Sequence, residues 1–297
     1  MVMPTDDDRA MAVRFHELFV QLDVPGHPGR EIVNNARLPW ISMQLLALEA
    51  KVPVRQSALN AARGTAHYLL PKMEAGSHLM MPPPLLIPRA TGPIIIDGKM
   101  DEPAWTSAPE VTLRFDNATR LDGEQATGKI LWDDKYLYVG YTVPDAHIVA
   151  PPLARDGAVY SYDCVELFLC PNRKSGAYWE LNVSPSGSLF DCLTYKYPAR
   201  WGGEDHLEAT MEGLLIGRAM RGPQDAHPGY TIELAVPFDQ LPGMHDGGHV
   251  GDTIYTMLGR ANRDSEAEGA PIVYTAHQPY VGWLHNIWDY QPFILGY

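Results

Sequence analysis

The sequence predicts a mainly β protein: an antiparallel, jelly-roll-like β-sandwich preceded by a small N-terminal helical segment. Three observations carry the prediction. Residues 91–297 read as one succession of short segments with apolar residues at every second position. Proline and glycine number 26 each in 297 residues, a supply of turns suited to short strands. No helical pattern of weight interrupts the series, which points to a sandwich.

The first 75 residues differ from the rest. Ala10–Leu22 carries Met11, Phe15, Leu18, Phe19 and Leu22 at helical spacing, and the run PGHPG breaks it. Arg30–Lys51 predicts one or two further helices, interrupted near Pro39. Val54–Leu70 predicts another, with Ala58, Leu59, Ala62 and Leu69 for packing. Gly-Ser-His at 76–78, ahead of Met80 and Met81, resembles a vector-derived scar. Residues 1–75 therefore read either as a native cap or docking element for a protein partner, or as a fusion partner. The proline-rich stretch within 76–92 reads as an extended linker into a domain spanning 93–297.

The strands follow in order. Pro93–Asp97 reads as a short opening strand. Lys129–Trp132 and Tyr136–Val143 make a hairpin around Asp133-Asp134-Lys135, with Leu137, Val139, Tyr141 and Val143 inward. Asp163–Cys170 is apolar on both faces, so it reads as a central strand with Glu166 embedded in it. Tyr178–Val183 turns Trp179, Leu181 and Val183 inward and Tyr178, Glu180 and Asn182 outward; Pro185-Ser186-Gly187 leads to its partner, Ser188–Tyr197. Tyr230–Val236 buries Ile232, Leu234 and Val236 and leaves Glu233 on a solvated outer face. Pro237 stops it, and Phe238–Leu241 reads as a helical turn. Thr253–Arg260 is the last long strand before an aromatic-rich tail, Trp283–Tyr297.

A net charge of -13 repels phosphate backbones and argues against a nucleic-acid partner. No apolar run reaches membrane-spanning length. The N-terminus lacks the basic segment and apolar core of a signal peptide, so the chain as written reads as cytoplasmic, or as secreted if a leader has been removed. Cys164 and Cys170 lie six apart on one strand, too far along it to bridge, and with Cys192 they read as small buried apolar residues.

An acid within an apolar strand is costly unless it meets a partner or lines a wet groove. Glu166, Glu180 and Asn182 therefore mark a polar pocket in a sandwich face, and Glu180 with Asn182 offers acceptor and donor groups suited to vicinal hydroxyls. Arg260 is available to balance the charge. Trp105, Trp132 and Trp179 read as core. Trp201, in the glycine-bearing run ARWGGED, reads as an exposed stacking platform, while Trp283, His285 and Trp288 sit in the tail, placed to roof the pocket. The predicted activity is non-catalytic binding of a saccharide or other polyhydroxylated small molecule, with no cofactor required. The alternative is an acid–base lyase, hydrolase or cyclase using Glu166 and Glu180, with His285 as proton shuttle. No nucleophile elbow, phosphate loop or metal-binding histidine pair accompanies these residues.

The ordered segments IDGKMDEPAW, LWDDKYLYVGYTVPD, DCVELFLCPN, YWELNVSPSGSLFD, GYTIELAVPFDQL and GDTIYTMLGRANRD resemble a family 9 carbohydrate-binding module over nearly all of residues 91–297. The tail around Trp283, His285 and Trp288 is similar to that of stand-alone bacterial members. The resemblance implies a sandwich that binds sugars, often at chain ends, between aromatic platforms, with carboxylates and amides on the hydroxyls. By motif match it places Glu166, Glu180 and Asn182 at the ligand and Tyr162 where the family often has a tryptophan. By the same match Asp97 and Asp101 fall on an opening segment that lies close to a structural calcium in some members of the family. The long apolar loop between Asp145 and Tyr162 and the segment 1–75 depart from the family pattern.

Overall fold

A computed structural model describes the chain apart from residues 25–26, 31, 33–47, 50, 78–81, 117–118, 197–202, 223–227, 268 and 281–283. The chain falls into two compact units, Met1–Met81 with Tyr280–Asp289, and Pro82–Pro279 with Tyr290–Tyr297.

The first unit contains α1 (Asp6–Leu22) and α2 (Gln56–Ser77). Thr5 caps α1 in a reciprocal box with Asp8, and Asp6, Asp7 and Asp8 complement the positive end of the helix. Ala12, Phe15, Leu18 and Leu22 pack with Leu59, Ala62, Leu69 and Met73. Arg63 reaches the buried Asp8 with two bonds of 2.7 and 2.8 Å, which hold that carboxyl well below the usual range. The sequence expectation ends this helix near residue 70. It runs on through Pro71 because Met73 joins the core. Most of the helix predicted over 30–51 lies outside the described residues.

The strands of the second unit, in chain order, are β1 (Leu85–Ile87), β2 (Glu110–Thr112), β3 (Phe115–Asp116), β4 (Thr119–Arg120), β5 (Thr127–Trp132), β6 (Tyr136–Pro144), β7 (Cys164–Asn172), β8 (Ala177–Val183), β9 (Leu189–Lys196), β10 (Gly203–His206), β11 (Leu215–Arg221), β12 (Gly229–Pro237), β13 (Thr253–Asn262), β14 (Val273–Ala276) and β15 (Gln291–Leu295). They form two sheets. The smaller runs β11-β12-β6-β5-β2; the larger runs β10-β9-β8-β7-β13-β14-β3-β4, with β15 beside β13 and β1 parallel to β15. Leu85–Ile87, expected in the linker, is thus a strand.

The sheets pack face to face. Ile130, Val139, Tyr141, Ile232 and Leu234 of one meet Val165, Leu167, Leu181, Leu258 and Phe293 of the other. Buried polar tips in this core find main-chain acceptors: the Tyr141 hydroxyl donates to the Glu166 carbonyl at 2.9 Å, and Trp132 Nε1 to the Ile87 and Gly296 carbonyls at 3.0 Å. Trp105, Trp132 and Trp179 are all buried, in accord with the sequence reading.

Residues 94–106 cross the outer face of the smaller sheet. Pro93–Asp97 does not form the expected strand, because the Asp97 and Gly98 amides donate to Glu233 Oε2 at 3.2 and 2.7 Å instead of to a neighbouring strand. Gly98 adopts φ +90°, and a side chain on Gly217 would lie 2.5 Å from its nitrogen; only glycine allows this approach. Glu233, expected in solvent, is fully covered. Burial pushes its carboxyl up.

Candidate functional site

The register of β7 and β8 assembles the polar cluster. Glu166 lies directly opposite Asn182, and Phe168 opposite Glu180, so all four share the outer face of the larger sheet. On the other flank of β7, Glu166 faces Gly259, which contributes no side chain. Asn182 Nδ2 donates to Glu180 Oε1 at 2.9 Å. The exposures of Glu166, Glu180 and Asn182 are 3%, 6% and 0%, so an oxygen here that lacks a protein donor cannot turn to bulk water. Among the described residues of this cluster, Glu166 Oε2 and Asn182 Oδ1 are such oxygens, buried with no hydrogen-bond partner. Burial, reinforced by the Glu180 charge, pushes the Glu166 carboxyl well above its ordinary range.

Aromatic and apolar groups flank the cluster. Phe190 pairs with Asn182 across β8 and β9, and Cys192 with Glu180. Phe190, Cys192, Val159, Cys164 and Ala261 form one buried group, with Leu153, Ile272 and Tyr274 packed against it. Tyr160 meets Phe190 edge to face at 5.4 Å between ring centres and remains 40% exposed. The Tyr274 hydroxyl donates to the Tyr160 carbonyl at 3.1 Å, and burial with the nearby Glu166 charge pushes the phenol up to about 12. Sequence reasoning missed Tyr160, Phe190 and Tyr274. Alternation on β9 carries the signal for Phe190; Tyr160 lies in a loop with no period.

Charged anchors hold that loop, residues 145–162. Arg155 grips the buried Asp191 with bonds of 3.0 and 2.7 Å, and Asp191 also accepts from the Met211 amide at 2.7 Å. The Asp156 amide bonds the Leu189 carbonyl at 3.0 Å, and the Leu153 amide bonds Ser188 Oγ at 2.8 Å. Asp163, at the foot of β7, accepts from the Val149 and Arg263 amides. Burial outweighs these bonds and pushes its carboxyl up to about 6.

Of the residues expected at the site, the structure brings together Glu166, Glu180 and Asn182. Arg260 lies opposite Val165 and therefore on the inner face; it pairs with Asp145 at 2.9 Å and with Asn262, so it does not balance Glu166. Tyr162, at the loop's end, carries the Arg263 guanidinium over its ring at 5.3 Å. Trp201 and Trp283 lie outside the described residues. His285 and Trp288 belong to the segment Tyr280–Asp289 of the first unit. Asp97 accepts from the Lys99 amide at 2.9 Å and pairs with its ammonium at 3.1 Å. Calcium takes six to eight oxygens. Among the described residues no group of three or more histidines, cysteines or acids is placed to hold a metal, which leaves the expected calcium near Asp97 and Asp101 without support.

Known proteins are similar to this chain in sequence and in fold. An exoglucanase of Acetivibrio thermocellus is 33% identical over 152 residues, covering 50% of this chain and 12% of that one. An endo-1,4-beta-xylanase of Thermoanaerobacterium saccharolyticum is 34% identical over 152 residues, covering 50% and 11%. The chain thus spans only about a tenth of those relatives. Two structures of a family 9 carbohydrate-binding module from Caldicellulosiruptor kristjanssonii share the fold. The complex with cellotriose has TM-score 0.52 and 18% identity, covering 72% of this chain and 93% of that one. The complex with glucose has TM-score 0.51 and 17% identity, covering 72% and 97%. The model of the carbohydrate family 9 binding domain-like family matches residues 96–265, more than half of the chain, and the protein belongs to that family.

Proposed function

We propose that the protein binds a saccharide without transforming it, on the outer face of the larger sheet, where Glu166, Glu180 and Asn182 meet its hydroxyls and Tyr160 and Tyr274 flank it. The observation that carries this reading is the pair of buried acceptors, Glu166 Oε2 and Asn182 Oδ1, that no donor among the described residues reaches. A buried acceptor left unmade costs about 1–3 kcal/mol, which hydroxyl donors from a ligand would recover. Family membership supports the reading, as do the fold neighbours bound to cellotriose and glucose. The acid–base alternative gains nothing from these contacts: Glu180 is engaged by Asn182, and burial pushes the thiols of Cys170 and Cys192 up to about 12 and about 11.

Titration calorimetry with glucose and cellotriose tests it. Heat of binding is expected, and Asn182→Ala is expected to weaken binding by about 1–3 kcal/mol through loss of one buried partner. Absence of heat with every saccharide in a broad glycan panel would sink the reading.

A further inference from the structure

Glu166 and Asn182 each leave a buried acceptor over in the polar cluster. Glu166 and Glu180 bring carboxylates, Asn182 brings an amide, and the one amide donor recorded among the three is spent on Glu180 Oε1. The buried oxygens left over, Glu166 Oε2 and Asn182 Oδ1, are acceptors on adjacent strands at one register position. Three arginines on flanking segments are engaged elsewhere. Arg260 lies on the inner face with Asp145; Arg155 grips Asp191; Arg263 donates to the Ser161, Ser265 and Ala267 carbonyls. Among the described residues no cationic side chain pairs with Glu166.

A neutral hydroxyl brings an acceptor lone pair along with its donor, and that lone pair finds little to bond here. An ammonium brings three donors, no acceptor, and the countercharge that a buried carboxylate lacks. Resting on the saccharide reading above, we propose that this site selects sugars bearing a free ammonium group, an amino sugar in place of its neutral counterpart. The cation sits between Glu166 and Asn182, and the ring lies toward Tyr160 and Phe190. The Glu180 charge, which helps to raise the proton affinity of Glu166, likewise favours a cation placed beside it.

The test is competitive titration of the full chain, at neutral pH and low salt, with D-glucosamine, D-glucose, N-acetyl-D-glucosamine and methylammonium. Glucosamine is expected to bind about tenfold or more tighter than glucose, the scale of one charge-assisted bond replacing a neutral one. N-acetylglucosamine, which lacks the charge, is expected to lose that advantage, and methylammonium to compete weakly. In Glu166→Gln, matched in shape, glucose binding is expected to weaken and the preference for glucosamine over glucose to vanish. If that variant does not fold, the wild-type series decides alone. Glucose equal to or tighter than glucosamine would overturn the inference and leave the saccharide reading standing. Methylammonium as tight as glucosamine would also overturn it, since the sugar would then contribute nothing. Failure of every sugar to bind would overturn both.

Discussion

Asp163 shows how one buried side chain couples the foot of the site to pH. Its carboxyl titrates near 6 in the folded chain because burial outweighs the two amides it accepts. In the unfolded chain an aspartate titrates at about 3.9. The native state therefore holds the extra proton between roughly pH 4 and 6, and the stability this provides is present at the acid end and lost as pH rises through 6. Glu166 and Glu233 are shifted the same way, so they add slope of the same sign. Asp163→Asn should remove about one proton's worth of that slope, read as urea midpoints across a pH series. An unchanged slope would show that Asp163 does not titrate there. At this scale the sequence made Glu166, Glu180 and Asn182 legible, because an acid or amide inside an apolar alternation is anomalous wherever it falls. It did not reveal that Glu233 is covered, since the covering segment, Asp97–Gly98, lies 135 residues away along the chain. It did not place Arg260 either. Alternation makes β13 a strand, but only its register against β7 shows which of its faces meets the core.

Among the elements, the strands were legible and the loops were not. A strand has a period of two, which a single sequence displays. The path of loop 145–162 is set by aperiodic bonds: Arg155 to Asp191, the Leu153 amide to Ser188, the Asp156 amide to the Leu189 carbonyl. The misread opening strand has the same origin, since its amides go to a side chain. The loop carries Tyr160, so its anchor governs the aromatic side of the site. Asp191 is fully buried, and Arg155→Ala would leave its carboxylate with the Met211 amide as its main remaining donor. Arg155 is itself partly exposed, so the loss should fall near about 1–3 kcal/mol, below that for a fully buried pair. Hydrogen exchange should then accelerate at the Leu153, Asp156 and Val159 amides while the β7 and β8 amides keep their protection, and sugar affinity should fall with it. Uniform acceleration across β7 and β8 would mean that the pair supports the sandwich as a whole.

At the scale of the whole molecule, chain order and compact units disagree in one place. A linear reading assigns 93–297 to a single sandwich, yet residues 280–289 cluster with the first 81 residues, and the chain rejoins the sandwich only at Tyr290. No local pattern announces such an excursion, because Trp288 and Tyr290 read alike as tail aromatics. The consequence concerns where the chain can be cut. Truncation at Pro82 looks harmless from the sequence, as it removes a helical prefix and keeps every strand. It also removes Pro28, whose carbonyl accepts from Nδ2 of Asn286, a side chain only 1% exposed. Leu284 and Ile287 are buried, and the segment that carries them clusters with the residues removed. Fully exposing a side chain of that size forfeits about 1.5–3 kcal/mol, so the segment loses part of what holds it in one conformation. A chain lacking residues 1–81 is therefore expected to be cleaved within 280–289 by a low dose of protease that leaves the full chain intact there, with β13 and β15 cut more slowly. Mass spectrometry of the fragments locates the cut. Equal resistance of the segment in both chains would show that 280–289 keeps its place without the helical unit, and that the boundary drawn from the sequence was sufficient.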